Sequence, residues 1–407
     1  MRKTINKLFL IITVISALLL TTGCDLFIKT NKGQVDQKWY MGLTYEDDNG
    51  NDTDYTIGTD GTIAAVALED GYGDEFGIIK GEEAYLNINT IIKNIDKRFY
   101  VDATNNLVMF TDATKTYKTK IGGKTINETE NTDYVISFMD GKNCYVNVKF
   151  VKKYVDFDYK VVKAEGKSPA RIVLKYTSGE KNQMTVKSNI EMRTKADYQN
   201  LIVTTLKKNT KVTVLEESGD WTKVGTDDGF MGYVPAKKLK DKETKKTDFK
   251  SDADTYTHVL MDKKISLGWN AITNLTANGN LETIIEYTKG LNVISPTWYS
   301  LSDNKGNLRS YASATYVEKA HSKGLKVWAL VNDFGTQDKA SKEYTKKVLT
   351  DTTKRENLVD NIMTNIKDYN LDGINIDFEF INKDIINSYL QFLRELSIEC
   401  RKAGKVR

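Results

Sequence analysis

From about residue 255 onward the hydrophobic pattern alternates between two periods. Short apolar runs (KISLGWNAI, LNVISPTWYS, LKVWALVNDF) are separated by stretches whose apolar residues recur every three or four positions. Those stretches are LETIIEYTKG, ATYVEKAHSKG, RENLVDNIMTNIKDYN and NSYLQFLRELSIECRKAG. The runs read as buried strands and the intervening stretches as amphipathic helices. Gly290, Gly324 and Gly404 fall just past three of these helices, where a C-cap residue is expected. Upstream the pattern differs. Residues 25–80 mix strand-like pieces (KWYMGLTY, TIAAVAL) with Gly, Asp and Asn turns, and residues 183–240 form short alternating strands broken by Lys-Asn, Ser-Gly-Asp and Asp-Asp-Gly. Between these lies an internal echo: YLNINTIIKNIDKRFYV (85–101) aligns without a gap on YVNVKFVKKYVDFDYKV (145–161). Tyr85/Tyr145, Asn87/Asn147, Lys93/Lys153, Asp96/Asp156 and Val101/Val161 match, and each copy predicts a strand, a helical turn and a strand.

The chain therefore reads as multidomain: an α+β module over 81–180, a small all-β barrel over 183–240, and an α/β region over 255–407. Residues 241–254, DKETKKTDFKSDAD, are charged and nearly devoid of apolar side chains, which predicts a linker. Strand–helix alternation in the last region predicts a parallel sheet with helices outside, with a (β/α)₈ barrel as the leading candidate. Only four such units fit between Thr255 and Gly404, and Val406 stands where a fifth strand would begin. The expected architecture is the N-terminal half of the barrel, inactive alone.

Within the fourth unit, LDGINIDFEFIN (371–382) departs from what a buried strand should contain. A strand covered on both faces is expected to be almost wholly apolar. Here Ile374, Ile376 and Phe378 alternate with Asn375, Asp377 and Glu379. Period two sends the first set toward the helices and the second into the barrel, near the C-terminal end where barrel active sites form. Buried unpaired carboxylates are costly, so the acids point to chemistry. Trp269, Trp298 and Asn332 lie in or at the ends of the first three strands, as candidate sugar contacts.

The stretch resembles the DGxDxDxE signature of glycoside hydrolase family 18, matched by Asp372, Gly373, Asp377 and Glu379, with Asn375 replacing the middle acid. The Asn form, with ISPTWYSL and VWALVNDF, is more similar to the spore-cortex and peptidoglycan N-acetylglucosaminidase branch than to chitinases, whose SxGG is absent. The resemblance implies Glu379 as general acid and then base, Asp377 as the group that orients the substrate acetamide, and Asn375 and Asp372 in support. Its substrate would be a peptidoglycan or chitin-like N-acetylglucosamine polymer, with no cofactor. A non-catalytic wall-binding protein is the alternative.

Two further resemblances concern the upstream units. Residues 183–240 resemble a bacterial SH3 domain through IEMR, LKKNTKVTVL, GDWTKV with Trp221, and GYVPAKKL, which implies cell-wall peptide as a partner. The echo resembles the amine-oxidase N-terminal-like module of exported Gram-positive proteins, an accessory unit with no His cluster to hold copper.

Composition narrows the remaining classes. A net charge of +4 over 407 residues, with no basic stripe interleaved with aromatics, argues against nucleic acid. With His258 and His321 the sole histidines, a zinc or non-haem iron site is not expected. Arg2, Lys3 and Lys7 precede an apolar run from Leu8 to Leu20 and then TTGC, the pattern of an export signal. Its end resembles a bacterial lipobox, departing from it at Thr21, and implies lipidation of Cys24 and a membrane-anchored, wall-associated location outside the cell, with a plain secretory signal and a secreted protein as the alternative. Cys144 and Cys400 lie in different predicted domains, so no structural disulfide is expected.

Overall fold

The computed structural model describes residues 30–250, 256–257, 259–334 and 339–406; the expected export signal and Cys24 lie outside the described residues. The chain forms two compact units, one from residues 30–84 and 156–249, the other from 85–155 and the described residues beyond 250. The expected 81–180 module is therefore divided. Asp158–Val162 pairs with Ala170–Lys175, which runs parallel to Thr62–Ala67, and these three strands belong to the first unit.

In the first unit the short alternating strands form one sheet. Ile190–Arg193, Ile202–Leu206, Lys211–Ser218, Trp221–Gly225 and Met231–Pro235 occupy the expected positions, with Gly219 supplying the positive φ (58°) of the Ser-Gly-Asp turn. Their inward residues Met192, Val203, Val212, Val224 and Val234 are buried together with Val35, Met41 and Leu43 from the N-terminal segment. Trp221 is half-buried and meets Tyr198 edge to face, with ring centroids 4.9 Å apart. Residues 241–247, expected to begin a linker, instead belong to the strand Leu239–Thr247, which pairs antiparallel with Gly179–Val186. Backbone hydrogen bonds are indifferent to side-chain polarity, so a Lys-rich edge strand is stable where both faces are wet.

The first copy of the echo gives strand Glu83–Asn87, helical turns to Ile95 and strand Phe99–Asp102. The second copy gives Asn143–Asn147 and helix Val148–Tyr154, and its last strand, Asp158–Val162, belongs to the first unit. The two equivalent leading strands pair antiparallel about a local two-fold at Leu86↔Val146, so that Tyr85 faces Asn147 and Tyr145 faces Asn87. The repeated asparagine has a physical cause. Asn87 and Asn147 are each fully buried, and each side chain accepts the backbone N–H two residues on, capping the helical turn that follows.

The strands of the α/β region are, in chain order, β1 (Leu267–Asn270), β2 (Val293–Pro296), β3 (Tyr299–Leu301), β4 (Leu308–Ser310), β5 (Lys326–Asn332) and β6 (Gly373–Asp377). Its helices are α1 (Leu281–Tyr287), α2 (Ala314–Ser322), α3 (Lys339–Leu349), α4 (Thr352–Asp368) and α5 (Ile386–Lys402). Strands β1, β2, β5 and β6 pair in parallel in that order, with the hairpin β3–β4 inserted after β2. Val406, where a further strand is expected, is bridged in parallel to Gly373, and Ile374 donates to its carbonyl at 2.9 Å. Ile294, Val327, Ala329, Val331 and Ile374 point into one core with Leu358 and Ile362 of α4 and Phe392 and Leu396 of α5.

The strands from Phe99 to Lys120 pack on α4 and α5 through a largely buried polar junction. Arg355 is fully buried. Its guanidinium reaches both Glu395 oxygens at 3.1 and 3.3 Å, donates to the Leu349 carbonyl at 2.8 Å, lies 3.8 Å from the Asp102 carboxylate and covers the Tyr100 ring. Asp102 also accepts the Thr352 backbone N–H at 2.6 Å, closing the first turn of α4. Gln391 bridges Thr111 and Glu395 at 2.8 and 2.9 Å.

Candidate active site

Strand β6 carries the acids because its neighbours fix which face each residue takes. Parallel partners put their side chains on the same side of the sheet. Asn375 is opposite Leu330 and Asp377 opposite Asn332, and across β2 the register pairs Trp269 with Ser295. Asn375 donates to Ser295 Oγ at 3.4 Å, which places these residues on one face, away from the helices. On the other face Ile374 is buried, and Phe378 stacks on Tyr389 and Phe392 with centroids 6.1 and 5.7 Å apart. The alternation read from the sequence is thus the alternation of the sheet.

Asp377 is half-buried at the last residue of β6, and Glu379 is exposed two residues beyond. Two strand positions separate them, a spacing of roughly 6–7 Å along the chain. Asn332 ends β5 directly opposite Asp377; it is buried, and its Oδ1 has no hydrogen-bond partner. An orphan acceptor in that position is unsatisfied until something donates to it. Trp269 is 70% exposed on the same face and leaves its ring free to stack. The arrangement offers a carboxyl group at an open strand end, a second carboxylate behind it, the amides of Asn375 and Asn332 behind and beside that one, and an aromatic surface. Among the described residues, no group of three or more His, Cys, Asp or Glu side chains is placed to hold a metal ion.

Two residues expected in this group are elsewhere. Trp298 is 1% exposed, donates its indole N–H to Asn278 at 2.7 Å and packs edge-on against Tyr316, so it is a core residue and not a sugar contact. Its position follows from the turn between β2 and β3, which swings the indole into the helix layer. Asp372 precedes β6, at the opposite end of the strand from Glu379. Its carboxylate accepts from Lys326 at 2.8 Å, from the Val327 backbone N–H at 2.9 Å and shares a 2.8 Å hydrogen bond with His321 Nε2. It locks the start of β6 to β5 and does not support the site.

Burial alone would push the Asp372 carboxyl up, but the hydrogen bonds from Lys326, Val327 and His321 outweigh it and hold the group below its ordinary value. A depressed carboxyl contributes stability that is present above its unfolded value of about 3.9 and is lost as pH falls through the folded value. Asp372→Asn is therefore expected to lower unfolding free energy at pH 7 by about 1–3 kcal/mol. In urea titrations the gap between the variant and the parent should narrow as the pH is brought from 7 to 3; a gap that does not narrow contradicts this account.

Two residues were missed from the sequence. Ser295 sits in an apolar run that gave no reason to single it out, yet it is buried beneath Asn375. Asp333 follows Asn332 immediately; its carboxylate is fully buried and accepts the backbone N–H groups of Glu379 and Phe380 at 2.8 and 3.1 Å. An acid just beyond a strand end, in VNDF, was the available signal.

Residues 294–406 match the model of glycosyl hydrolases family 18, and residues 188–240 match that of the bacterial SH3 domain. The chain thus carries a family 18 domain and an SH3 domain within a multidomain α/β architecture. Among solved structures, it is similar to a chitinase from Chromobacterium violaceum (15% identity over 35% of this chain and 44% of that one, TM-score 0.30). A chitinase from Bacteroides thetaiotaomicron matches at 23% identity over 33% and 42%, with a TM-score of 0.27. The spore cortex-lytic enzyme SleL from Bacillus megaterium matches at 20% identity over 34% and 33%, with a TM-score of 0.28. The match spans less than half the length of each of these structures. No curated protein matches the sequence.

Proposed function

We propose that the α/β region hydrolyses N-acetylglucosaminyl bonds of peptidoglycan, with chitin-like polymers the lesser substrate. The observation that carries this reading is that Asn375 and Asp377 share one face of a parallel strand and Glu379 is exposed two residues beyond its C-terminal end, inside the segment matched by the family 18 model. The other side chains paired on that face include Trp269, Ser295, Ser300, Trp328, Leu330 and Asn332, and on the described strands no further carboxylate stands across from the two acids.

That geometry suits a nucleophile supplied by the substrate, the established variant of glycoside hydrolysis in family 18. Glu379, protonated, gives its proton to the glycosidic oxygen as the C1–O bond breaks. The carbonyl oxygen of the sugar's own 2-acetamido group closes on C1, and its N–H is held by Asp377, whose charge balances the oxazolinium. Glu379, now ionised, takes a proton from water as that water attacks C1, and the configuration is retained. Asn375 holds Asp377's side of the strand through Ser295. Trp269 supplies an aromatic surface for a sugar ring. The SH3 domain, binding wall peptide, and a lipid at Cys24 would keep this chemistry at the cell wall.

The test uses the protein expressed from its whole reading frame on purified peptidoglycan. New reducing N-acetylglucosamine ends are expected, first appearing as the retained anomer by NMR. Chemically N-deacetylated glycan should be cut slower by roughly 10²-fold or more, because the intramolecular nucleophile is gone. Equal rates on both polymers contradict substrate assistance, and an absence of new reducing ends contradicts the glycosidase reading.

A further inference from the structure

Strand pairing between β5 and β6 stops at Asn332↔Asp377, so the backbone amides just past β6 have no ladder partner. A buried or half-buried N–H must find an acceptor elsewhere. Asp333, the residue after β5, supplies it: Oδ1 accepts from the N–H of Glu379 at 2.8 Å, and Oδ2 accepts from the N–H of Phe380 at 3.1 Å. Thr345 on α3 adds a third donor to Oδ2 at 3.0 Å. The carboxylate is fully buried, and its removal from water is unfavourable unless donors replace the lost hydration. Three donors on two oxygens do so, and together they tie the backbone of residues 379–380 to the end of β5.

We propose that Asp333 is a positioning residue that fixes Glu379 in its working orientation by holding the backbone at residues 379 and 380. The inference rests on the glycosidase reading of Glu379 and adds to it the group that sets its aim. Burial pushes the Asp333 carboxyl above its ordinary value, and the hydrogen bonds from Glu379, Phe380 and Thr345 act against that. An ionised Asp333 accepts from both amides at once. An asparagine at this position retains one acceptor oxygen and turns an NH₂ group toward the second amide, so it satisfies one N–H and opposes the other.

The experiment compares Asp333→Asn, Asp333→Ala and Thr345→Val with the parent in the protein expressed from its whole reading frame. Thr345→Val keeps the carboxylate and removes one of its three donors. Hydrogen exchange read by mass spectrometry over residues 378–381 is expected to be faster by about tenfold or more in Asp333→Ala, and less so in Thr345→Val. In steady-state assays on peptidoglycan, kcat is expected to fall by about 10²-fold in both Asp333 variants with KM little changed, because a displacement near 1 Å costs that much. A purely structural role would lower the active fraction and leave the kcat of the folded enzyme where it was. Should Asp333→Ala fail to fold, Asp333→Asn and Thr345→Val carry the comparison. Unchanged exchange at residues 379–380, or Asp333 variants with parental kcat in an active protein, overturns the inference alone. An inactive parent overturns the glycosidase reading and the inference with it.

Discussion

Replacing Glu379 by Gln is expected to lower kcat on peptidoglycan by about 10²–10⁴-fold, the usual contribution of a positioned general acid and base. The substitution keeps the shape and removes the proton that the leaving oxygen needs, together with the base that later activates water. KM should move little, since the amide still occupies the space of the carboxyl and Glu379 is exposed at the strand end. Stability should be unchanged for the same reason, an exposed side chain replaced by one of the same shape. Steady-state rates and a thermal melt on one preparation check both halves. Wall digestion at the parental rate in a folded Glu379→Gln protein would remove Glu379 from the mechanism and favour a binding role for the domain.

The largest effect on stability is expected at Arg355, in the first turn of α4. Its side chain is buried against two carboxylates, Asp102 from the strand Phe99–Asp102 and Glu395 from α5. Burial disfavours the charged guanidinium, but Glu395, Tyr100 and Asp102 more than offset it, and the group is held above its ordinary value. Arg355→Ala leaves both carboxylates without this partner, Asp102 fully buried and Glu395 largely so. Breaking a buried pair from one side costs about 3–5 kcal/mol. Urea unfolding should show that loss. Glu395→Ala added to it should cost less than in the parent, because the partner it served is already gone. A loss below about 1 kcal/mol for Arg355→Ala would mean that water enters the junction and solvates the acids. Such a loss would also be too small for the junction to hold the strands from Phe99 to Lys120 against α4 and α5.

What the sequence determined by itself is everything that depends on period and local chemistry. Alternation over 374–379 assigned Asn375, Asp377 and Glu379 to one face, since side-chain direction in a strand has period two whatever the strand pairs with. The three- and four-residue spacing marked the helices, and Gly324 and Gly404, with φ of 75° and 65°, stand just past α2 and α5 as C-caps must. Repetition of Tyr-x-Asn pointed to two equivalent strand–helix junctions before Asn87 and Asn147 were seen to cap them.

Tertiary structure decided what depends on partners distant in the chain. The motif grouped Asp372 with Asp377 and gave it a supporting part in the site. Pairing with β5 put Asp372 beside Lys326 and Asp377 beside Asn332, at opposite ends of the strand. Trp269 and Trp298 were equivalent as aromatics near strand ends; one lies exposed on the face of the acids, the other is closed into the helix layer. The stretch 241–247 lacked apolar residues and read as a linker, yet backbone hydrogen bonds to Gly179–Val186 made it a strand. Arg355 and Glu395 carried no signal as charges in otherwise ordinary segments, and Asp333 only that of an acid just past a strand end. Their importance arises from burial, which raises the free-energy cost of an unpaired charge and so makes each partner matter, and burial is a property of the folded chain alone.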